Sequence, residues 1–311
     1  MNNENNNTKE ILEYTFGKDV MKFLNDDDII EIMLNDDQHL WTDSLTKGMI
    51  DTGIIINSDV AKNAIYLIAS SIYHEINEIN PCIDAELPIS GERFHGDIPP
   101  IVINPTFSIR KKAVLIFSLD DYVEKNIMTE NHKNVICEAV KNHKNILVVG
   151  GTGSGKTTLC NAIIQEIAKF NERIIIIEDT RELQYSGDNK IYYRTSETKK
   201  IRDLIFNSMR MRPDRIFVGE LRDGAALELL KAWNSGHPGG ICTIHANSVS
   251  GGLRKLEQYI MEVSANSQSE VIADVVNVVV YIEKHKLGRE VKEIVEVIGY
   301  DNRNYIYKKV E

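Results

Sequence analysis

The apolar residues of this chain follow two different patterns, which meet near residues 110–132. In the first part, short apolar segments are interrupted by turn residues, and this pattern predicts short strands and two helices. In the second part, near-continuous apolar runs such as "NILVVG" and "RIIIIED" alternate with helical patterns. The chain is therefore expected to contain two domains of different architecture.

The first part predicts an α+β domain over residues 1–112 with antiparallel strands. Strands are expected around "DIIEIMLND" and "HLWTD", and helices over "KEILEYTFGKDVMKFL" and "SDVAKNAIYLIASSIYHEIN". Further hairpin strands are expected within "DAELPISGERFHGDIPPIVINPTFSIRKK". We expect residues 1–9 to be disordered and the charged stretch 113–131 to be a linker.

The second part, residues 132–311, predicts an α/β domain. Its apolar runs "NILVVG", "RIIIIED", "RIFVGE" and "GICTIHA" are typical of parallel strands that are buried on both faces of a sheet. The segment "VIADVVNVVVYIE" is too short for a membrane span and carries Asp274, so we expect a buried passage from helix to strand.

The segment "GGTGSGKTTL" matches the P-loop pattern G-x-x-x-x-G-K-[ST] through Gly150, Gly155, Lys156 and Thr157. An apolar strand precedes it and a helical pattern follows, so a RecA-like P-loop NTPase domain is expected. Lys156 should reach the β- and γ-phosphates of ATP, and the Thr157 hydroxyl should bind Mg²⁺. The residues expected to contact the nucleotide here are Gly151, Thr152, Gly153, Ser154, Gly155, Lys156, Thr157 and Thr158.

Acidic residues follow two of the other predicted strands. Glu178, Asp179 and Glu182 come after "IIII", and Glu220 follows "RIFVG", in which Gly219 holds the place where a Walker B aspartate usually stands. Ligands bind at the carboxyl ends of parallel strands, so these acids are candidates for water activation and for Mg²⁺ binding through water. The other explanation is that such acids only stabilise helix N-termini.

The segment "GHPGGICTIHANS" places His237 and His245 around a short strand. We expect both histidines to lie at the same strand-end face, where one could sense the γ-phosphate or contact another subunit. A zinc site that includes Cys242 and a purely structural role are the alternatives.

The overall charge limits the possible partners. The 311 residues carry a formal net charge of −10, which argues against a broad nucleic-acid-binding face. The four cysteines have no C-x-x-C spacing and fit a reduced, cytosolic compartment. The polar, asparagine-rich start does not resemble a signal peptide.

Four ordered segments together resemble the secretion traffic ATPase family. "GGTGSGKTTL", "IIIIEDTRELQ", "RMRPDRIFVGELRDG" and "GHPGGICTIHANS" are similar to its Walker A, Asp box, Walker B and His box. Segments on both sides, including "AELPISGERFHGDIPPIVINPTFSIRKK", resemble the conjugative transfer ATPases of the TrbB kind within type IV secretion.

The resemblance implies an ATP-hydrolysing homo-hexamer that works with other secretion proteins at the cytoplasmic face of the inner membrane. By similarity, Glu220 is the Walker B glutamate, Glu182 the Asp-box glutamate and His245 the second His-box histidine. Arg110 resembles an N-terminal-domain arginine that reaches the phosphates. Arg210 and Arg212 either serve a neighbouring subunit or are surface residues.

The predicted mechanism uses Lys156, Mg²⁺ and an arginine to stabilise charge on the γ-phosphoryl oxygens, while a carboxylate orients the attacking water. Glu220 is the first candidate for that carboxylate and Glu182 the second. Mg²⁺ is expected to be held by Thr157 and, through water, by Glu220 or Glu178. The alternative functions are a DNA-dependent RecA-like ATPase and a scaffold that nucleotide switches without turnover.

Overall fold

The chain divides into two units, Met1–Val114 and Leu115–Glu311. This computed structural model describes residues 15–44, 46–88, 90–111, 116–196, 198–285 and 288–310. The predicted disorder of residues 1–9 concerns a segment outside the described residues. Each unit contains an apolar core of its own.

The first unit is built on a six-stranded sheet in which every neighbouring pair is antiparallel, as predicted. The strand order is β3-β2-β1-β6-β5-β4. Helices α1 and α2 contribute to the core, so the predicted α+β class is confirmed. The elements are α1 (residues 15–24), β1 (Ile29–Leu34), β2 (His39–Ser44), β3 (Gly48–Ile55), α2 (Ser58–Ser71), β4 (Cys82–Glu86), β5 (Arg93–Asp97) and β6 (Thr106–Arg110).

Helix α2 is shorter than the sequence pattern predicts. It ends at Ser71, whereas the helical pattern continues to residue 77. Tyr73 takes a left-handed conformation with φ of 56°. The amide of His74 then donates a hydrogen bond of 2.9 Å to Ala69 O, which satisfies a carbonyl of the last turn and stops the helix.

The second unit is built on an eight-stranded sheet with the order β14-β13-β12-β7-β11-β10-β8-β9. Strands β12, β7, β11, β10, β8 and β9 are parallel to their neighbours, and β13 and β14 add an antiparallel edge. The elements are α3 (Leu119–Glu124), α4 (Glu130–Lys141), β7 (Ile146–Gly150), α5 (Lys156–Ala168), β8 (Ile174–Glu178), β9 (Lys190–Arg194), α6 (Ile201–Ser208), a 3₁₀ turn (Met209–Met211), β10 (Arg215–Leu221), α7 (Ala225–Asn234), β11 (Ile241–His245), α8 (Val249–Met261), α9 (Ser269–Val275), β12 (Val278–His285), β13 (Gly288–Asp301) and β14 (Asn304–Lys309).

Helices cover both faces of the parallel strands. Every residue of β7 and β8 is buried, which explains their continuous apolar sequences. Helices α3, α4 and α5 pack on one face, and α6, α7, α8 and α9 pack on the other. The predicted α/β sheet with helices on two faces is therefore confirmed.

The stretch expected to be a linker, residues 113–131, belongs largely to the second unit where the structure describes it. It contains α3 and the start of α4. Leu119 and Tyr122 are buried in the core of the second unit. Ser118 and Asp121 form a capping box that begins α3. Because this stretch is highly charged, its sequence did not indicate the helix α3. Residues 113–115 lie outside the described residues.

The most apolar segment of the sequence forms α9 followed by β12, which agrees with the expected passage from helix to strand. Across the described residues, no helix combines the length and the apolar character needed to cross a bilayer. Strand β9 was not predicted, because its sequence "KIYYR" is only partly buried at the edge of the sheet.

Candidate active site

The phosphate loop connects β7, which ends at Gly150, to α5, which begins at Lys156. Gly155 occupies the N-cap position of α5 with φ of 96°, a conformation that glycine adopts without strain. The N-terminus of α5 directs its first N–H groups and a positive dipole end at this loop. The loop and the first turn of α5 contain the predicted nucleotide contacts Gly151, Thr152, Gly153, Ser154, Gly155, Lys156, Thr157 and Thr158.

The Lys156 side chain is buried, with 8% of its surface exposed, and its ammonium group lies at the phosphate loop. Nζ donates hydrogen bonds to Gly150 O at 3.0 Å and to Gly151 O at 2.9 Å. It also lies 3.1 Å from His245 Nδ1. An ammonium group can only donate, so Nδ1 of His245 is an acceptor and the proton of the neutral ring is on Nε2.

His245 connects Lys156 to the acid on the next strand. It is the last residue of β11, and its Nε2 lies 2.5 Å from Glu220 Oε1. On the other side, Arg222 donates from Nε and Nη2 to Glu220 Oε2, at 2.8 Å and 2.5 Å. The ends of β7, β11 and β10 are thereby joined by one continuous series of polar contacts.

The electrostatic surroundings of His245 favour its neutral form. Burial lowers the pKa of His245, and the positive charges of Lys156 and Arg222 act in the same direction, whereas Glu220 opposes them. A neutral imidazole can accept at Nδ1 from Lys156 while its Nε2 faces Glu220 Oε1. Geometry and charge therefore agree on the state of this histidine.

Glu182 lies beside the hydroxyl group that the P-loop pattern assigns to Mg²⁺. Its Oε2 accepts a hydrogen bond of 3.1 Å from Thr157 Oγ1. Glu182 is half-buried and follows the end of β8 by four residues. The two candidate acids thus have different neighbours: Glu220 contacts His245 and Arg222, and Glu182 contacts Thr157.

Glu178 contacts the loop that carries Glu182, and its predicted water-mediated contact with Mg²⁺ stays a prediction. Its carboxyl group is buried, and Oε1 accepts hydrogen bonds from the backbone N–H groups of Glu182 at 3.1 Å and Leu183 at 3.0 Å. Burial raises the pKa of Glu178 to about 8, although these two bonds oppose the shift. Through these two bonds, Glu178 holds the loop that carries Glu182.

The packing of Glu178 also explains why Gly219 stands where an aspartate usually does. A Cβ atom at Gly219 would lie 2.8 Å from Glu178 Cγ and 3.0 Å from its Oε1. Any side chain at this position would therefore displace Glu178 from the loop that it holds. The glycine at position 219, in place of the usual aspartate, leaves the space that the buried Glu178 side chain occupies.

A family model described as type II/IV secretion system protein matches residues 75–295. This span includes the phosphate loop, both acidic segments and both histidines. The chain belongs to this family. Its members' activity, ATP hydrolysis in a secretion motor, is the function that the four ordered sequence segments predict, and that prediction is confirmed.

Individual relatives agree with this assignment. The chain is 44% identical over 296 residues to a probable conjugal transfer protein TrbB of Sinorhizobium fredii, and the match covers 94% of this chain and 91% of that protein. It is 31% identical over 284 residues to the type IV secretion system protein VirB11 of Bartonella quintana, with 78% and 79% covered. The predicted resemblance to the TrbB kind is confirmed.

Solved structures show the same fold. A pilus retraction motor PilT with bound ADP superimposes with a TM-score of 0.60 at 19% identity, over 96% of this chain and 81% of that chain. The VirB11 ATPase of Brucella suis gives a TM-score of 0.50 at 23% identity, over 94% and 95%. The secretion ATPase thus has the predicted two-domain P-loop fold.

The oxygen ligands beside the phosphate loop of this secretion ATPase fit Mg²⁺. Thr157 supplies a hydroxyl and Glu182 a carboxylate, 3.1 Å apart, and both are hard oxygen donors. Within the described ranges, no three His, Cys, Asp or Glu side chains are grouped so that they could hold a metal alone. Mg²⁺ usually takes one or two protein ligands and completes its shell with phosphate and water, so this small set is sufficient.

The two histidines of the secretion ATPase lie at opposite ends of β11, so the expectation that they share one face is wrong. His237 precedes the strand, which runs from Ile241 to His245. Its Nδ1 lies 2.9 Å from Pro213 O, ahead of β10. Parallel strands align their amino ends at one edge and their carboxyl ends at the other, so only His245 reaches the phosphate loop.

The candidate arginines belong to β6 of the first unit and to the segment before β10 of the second unit. Arg110 is the exposed last residue of β6 in the first unit, and its predicted phosphate contact stays a prediction. Arg210 lies 4.9 Å from the ring of Phe206, and Arg212 takes φ of 53° just before β10. Both precede β10, so they lie at the amino-end edge of the sheet, away from the phosphate loop.

Two polar residues near the site, Asn161 and Arg289, were not predicted to act there. Asn161 contacts the loop that carries Glu182, and Arg289 Nε donates to Gly153 O at 3.3 Å. Arg289 comes from the antiparallel hairpin, so no local pattern connects it to the phosphate loop. For Asn161 a signal exists: it stands four residues after Thr157 on the same helix.

Proposed function

We propose that this chain is the ATP-driven motor subunit of a conjugative transfer or type IV secretion machine. It hydrolyses Mg²⁺-bound ATP, assembles as a homo-hexamer, and works with other secretion proteins at the inner face of the cell membrane. The 44% identity to a conjugal transfer protein over 94% of the chain supports this specific role.

One observation carries the catalytic part of this proposal: the contact series from Lys156 through His245 and Glu220 to Arg222. Nucleotide binding alone needs the phosphate loop. Hydrolysis also needs a carboxylate that is held close to the γ-phosphate and aligned. Arg222 donates to Oε2 of Glu220, and His245, which contacts Lys156 of the phosphate loop, lies 2.5 Å from Oε1; this arrangement suits a turnover enzyme better than a binding scaffold.

The roles of the residues follow from their chemistry. Lys156 and the N–H groups of the loop bind the β- and γ-phosphates and neutralise charge that grows during transfer. Glu220 orients the attacking water and accepts its proton. The neutral His245 holds Glu220 in place and, because it also contacts Lys156, connects the water-orienting acid to the phosphate-binding lysine.

Mg²⁺ would be held by Thr157 and, through water, by Glu182. When bound, it would neutralise charge on the β- and γ-phosphate oxygens. Glu182 therefore supports metal binding in this proposal, and Glu220 supports water attack. The two acids should then differ in the kinetic parameter that they control.

Steady-state phosphate release tests this division. Glu220→Gln should lower kcat by about 10² to 10⁴-fold with nucleotide affinity near wild type, because the amide keeps the shape but loses basicity. Glu182→Gln should mainly raise the Mg²⁺ concentration needed for half-maximal rate. Glu296→Gln, an exposed acid in β13, is the matched control and should retain full activity.

Two results would contradict the assignment. If Glu182→Gln abolished turnover while Glu220→Gln stayed near wild type, the roles of the acids would be reversed. Stimulation of wild-type hydrolysis by single-stranded DNA would favour a DNA-dependent ATPase instead. Negative-stain images with a non-hydrolysable ATP analogue should show six-fold rings, and a monomer under these conditions would contradict the proposed assembly.

A further inference from the structure

Helix α5 carries a polar stripe on a helix that is otherwise largely buried and apolar. Thr157, Asn161 and Gln165 follow one another at intervals of four residues, and residues at this spacing share one helix face. Asn161 has only 1% of its surface exposed. A buried amide requires partners for both its N–H₂ and its oxygen, so its contacts indicate what it holds.

All three side chains of the stripe contact the segment 182–186, which follows β8. Thr157 Oγ1 donates to Glu182 Oε2 at 3.1 Å. Asn161 Nδ2 donates to Glu182 O at 3.1 Å, and Asn161 Oδ1 accepts from Gln184 N at 2.8 Å. One helix face thus binds the side chain of Glu182 and two backbone groups that flank Leu183, the Glu182 carbonyl and the Gln184 N–H.

Glu178 binds the same segment from the sheet. Its Oε1 accepts from the N–H groups of Glu182 and Leu183. In the described part of the chain, neither Glu182 nor Leu183 has a backbone-to-backbone hydrogen bond. Both N–H groups and the Glu182 carbonyl are instead bonded by two buried side chains, Glu178 and Asn161, which fix the position of the Glu182 main chain.

We propose that Asn161 is a positioning residue that holds Glu182 against Thr157 and thereby sets the Mg²⁺-binding geometry of the ATPase site. The inference rests on the proposed function, because it assigns Glu182 and Thr157 to the metal. Asn161 is buried and bonds to the backbone of the segment 182–186, so its proposed effect on the metal passes through Glu182. Since Asn161 and Thr157 belong to one rigid helix turn, the distance between Glu182 and the Thr157 hydroxyl is kept whenever that helix shifts.

Asparagine suits this position because both functions of the amide are used. The oxygen accepts from one peptide N–H and the nitrogen donates to a carbonyl two residues earlier. Alanine would lose both bonds. Aspartate, of nearly the same volume, would keep the acceptor for Gln184 N and lose the donor for Glu182 O.

The test compares Asn161→Ala with Gln165→Ala. Gln165 is one turn further along the same stripe and donates to Gln184 O at 3.2 Å, so its loss removes a bond to the same segment but beyond Glu182. Partners that orient metal-binding groups typically contribute about 10- to 100-fold to metal affinity or activity. We expect Asn161→Ala to raise the Mg²⁺ concentration for half-maximal hydrolysis by about that factor and Gln165→Ala to leave it unchanged.

A binding measurement provides a readout besides activity. By titration calorimetry, ADP without Mg²⁺ should bind Asn161→Ala as tightly as wild type, whereas the gain in affinity on adding Mg²⁺ should be lost. Asn161→Asp should show the same change if the alanine variant does not fold. Equal behaviour of the Asn161 and Gln165 variants in this assay would overturn the proposal.

A double-mutant cycle shows whether Asn161 acts through Glu182. In the Glu182→Gln background, Asn161→Ala should have no further effect on Mg²⁺ dependence, since the group that it positions is already changed. Independent, multiplying effects would overturn the inference. If wild type bound ADP and Mg²⁺ but did not hydrolyse ATP, the proposed function would fail while the calorimetric result still decided the role of Asn161.

Discussion

At the phosphate loop, the protonation state of a side chain is determined by the charged groups that contact it. Lys156 donates to two loop carbonyls and to His245, which forces the ring proton onto the side that faces Glu220. The same residue types elsewhere in the chain have different states: His95, in the first unit, lies between two carboxylates. The chemistry of a histidine here depends on whether a cation or an anion contacts it.

Replacing the phosphate-loop lysine should separate binding from folding. Lys156→Ala removes the charged donor for the phosphates, and charge-assisted hydrogen bonds contribute about 1.5–3 kcal/mol, so ATP affinity should fall by roughly 10- to 150-fold. Hydrolysis should be lost, because the Lys156 ammonium group neutralises the charge that grows on the transferred phosphoryl group. Titration calorimetry with ATP measures the first effect and phosphate release the second.

Lys169→Ala is the control for this substitution. Lys169 follows the same helix but is largely exposed and pairs with Glu166, so its loss should leave ATP affinity unchanged. Circular dichroism should show both variants folded. ATP affinity of Lys156→Ala equal to wild type would refute the role of this lysine.

At the scale of elements, the ends of strands decide which residues meet. Strand β11 has five residues and ends at His245, so His237, which precedes the strand, is separated from His245 by the full length of the strand. In the first unit, β4 and β5 bring Asp84 opposite His95 on one face of an edge hairpin. His95 Nδ1 lies 2.9 Å from Asp84 Oδ1, and Nε2 lies 3.2 Å from Asp97 Oδ1.

The β4–β5 hairpin should lose stability as the pH rises. The hydrogen bond to Asp84 is the main cause that raises the pKa of His95; burial opposes it, and the charges of Asp97 and Asp84 add to it. Because the pKa of the folded state is above the unfolded value of about 6.5, the stabilisation is fully present below that pH and is lost as the pH rises through the folded value. Hydrogen exchange at the amides of β4 and β5, corrected for its intrinsic pH dependence, measures this change.

His95→Asn serves as the reference for the pH series. In this variant, the protection of the β4 and β5 amides from hydrogen exchange should not change between pH 6 and pH 9. In wild type, the same protection should decrease. A wild-type pH profile that matches the variant would show that the Asp84–His95–Asp97 contacts do not stabilise the hairpin. Cys82 in β4 is a free, exposed cysteine, so the pH series should be run under reducing conditions.

At the scale of the whole chain, each unit is held by its own core, and the second unit adds a buried ion pair at the edge opposite the phosphate loop. The Arg215 side chain is 1% exposed, and its Nε donates to Glu172 Oε2 at 2.5 Å. Its Nη2 donates to Val140 O at 2.9 Å, and its Nη1 donates to Gly239 O at 3.3 Å. One guanidinium therefore connects α4, β10 and the segments that precede β8 and β11.

Arg215→Met should destabilise the second unit strongly. Removing one partner of a buried pair leaves the other charge uncompensated and typically costs about 3–5 kcal/mol. Urea unfolding followed by the fluorescence of Trp233, in a Trp41→Phe background, reports on the second unit alone, since these are the two tryptophans of the chain. Lys231→Met, at an exposed position of α7, should change the free energy of unfolding by less than about 0.5 kcal/mol. A loss below about 1 kcal/mol for Arg215→Met would contradict the importance of this pair.

The sequence by itself determined the phosphate loop, the two architectures and the family. The P-loop is a local signal, since a strand, a glycine-rich turn and a helix follow one another directly and each has its own residue pattern. The buried strands were equally readable, because a strand covered on both faces is apolar at nearly every position. Turn residues and helical spacing indicated most of the helices for the same local reason.

Only the tertiary structure decided which of the candidate residues meet. Glu178 and Glu182 are four residues apart and chemically alike, yet one is buried against Gly219 and the other faces Thr157. The strand order that places β11 between β7 and β10 brings His245 and Glu220 together, and it arises from contacts between distant segments. Local patterns record whether a residue is buried but not which residue covers it, so the partners of Glu178, His245 and Asn161 required the fold.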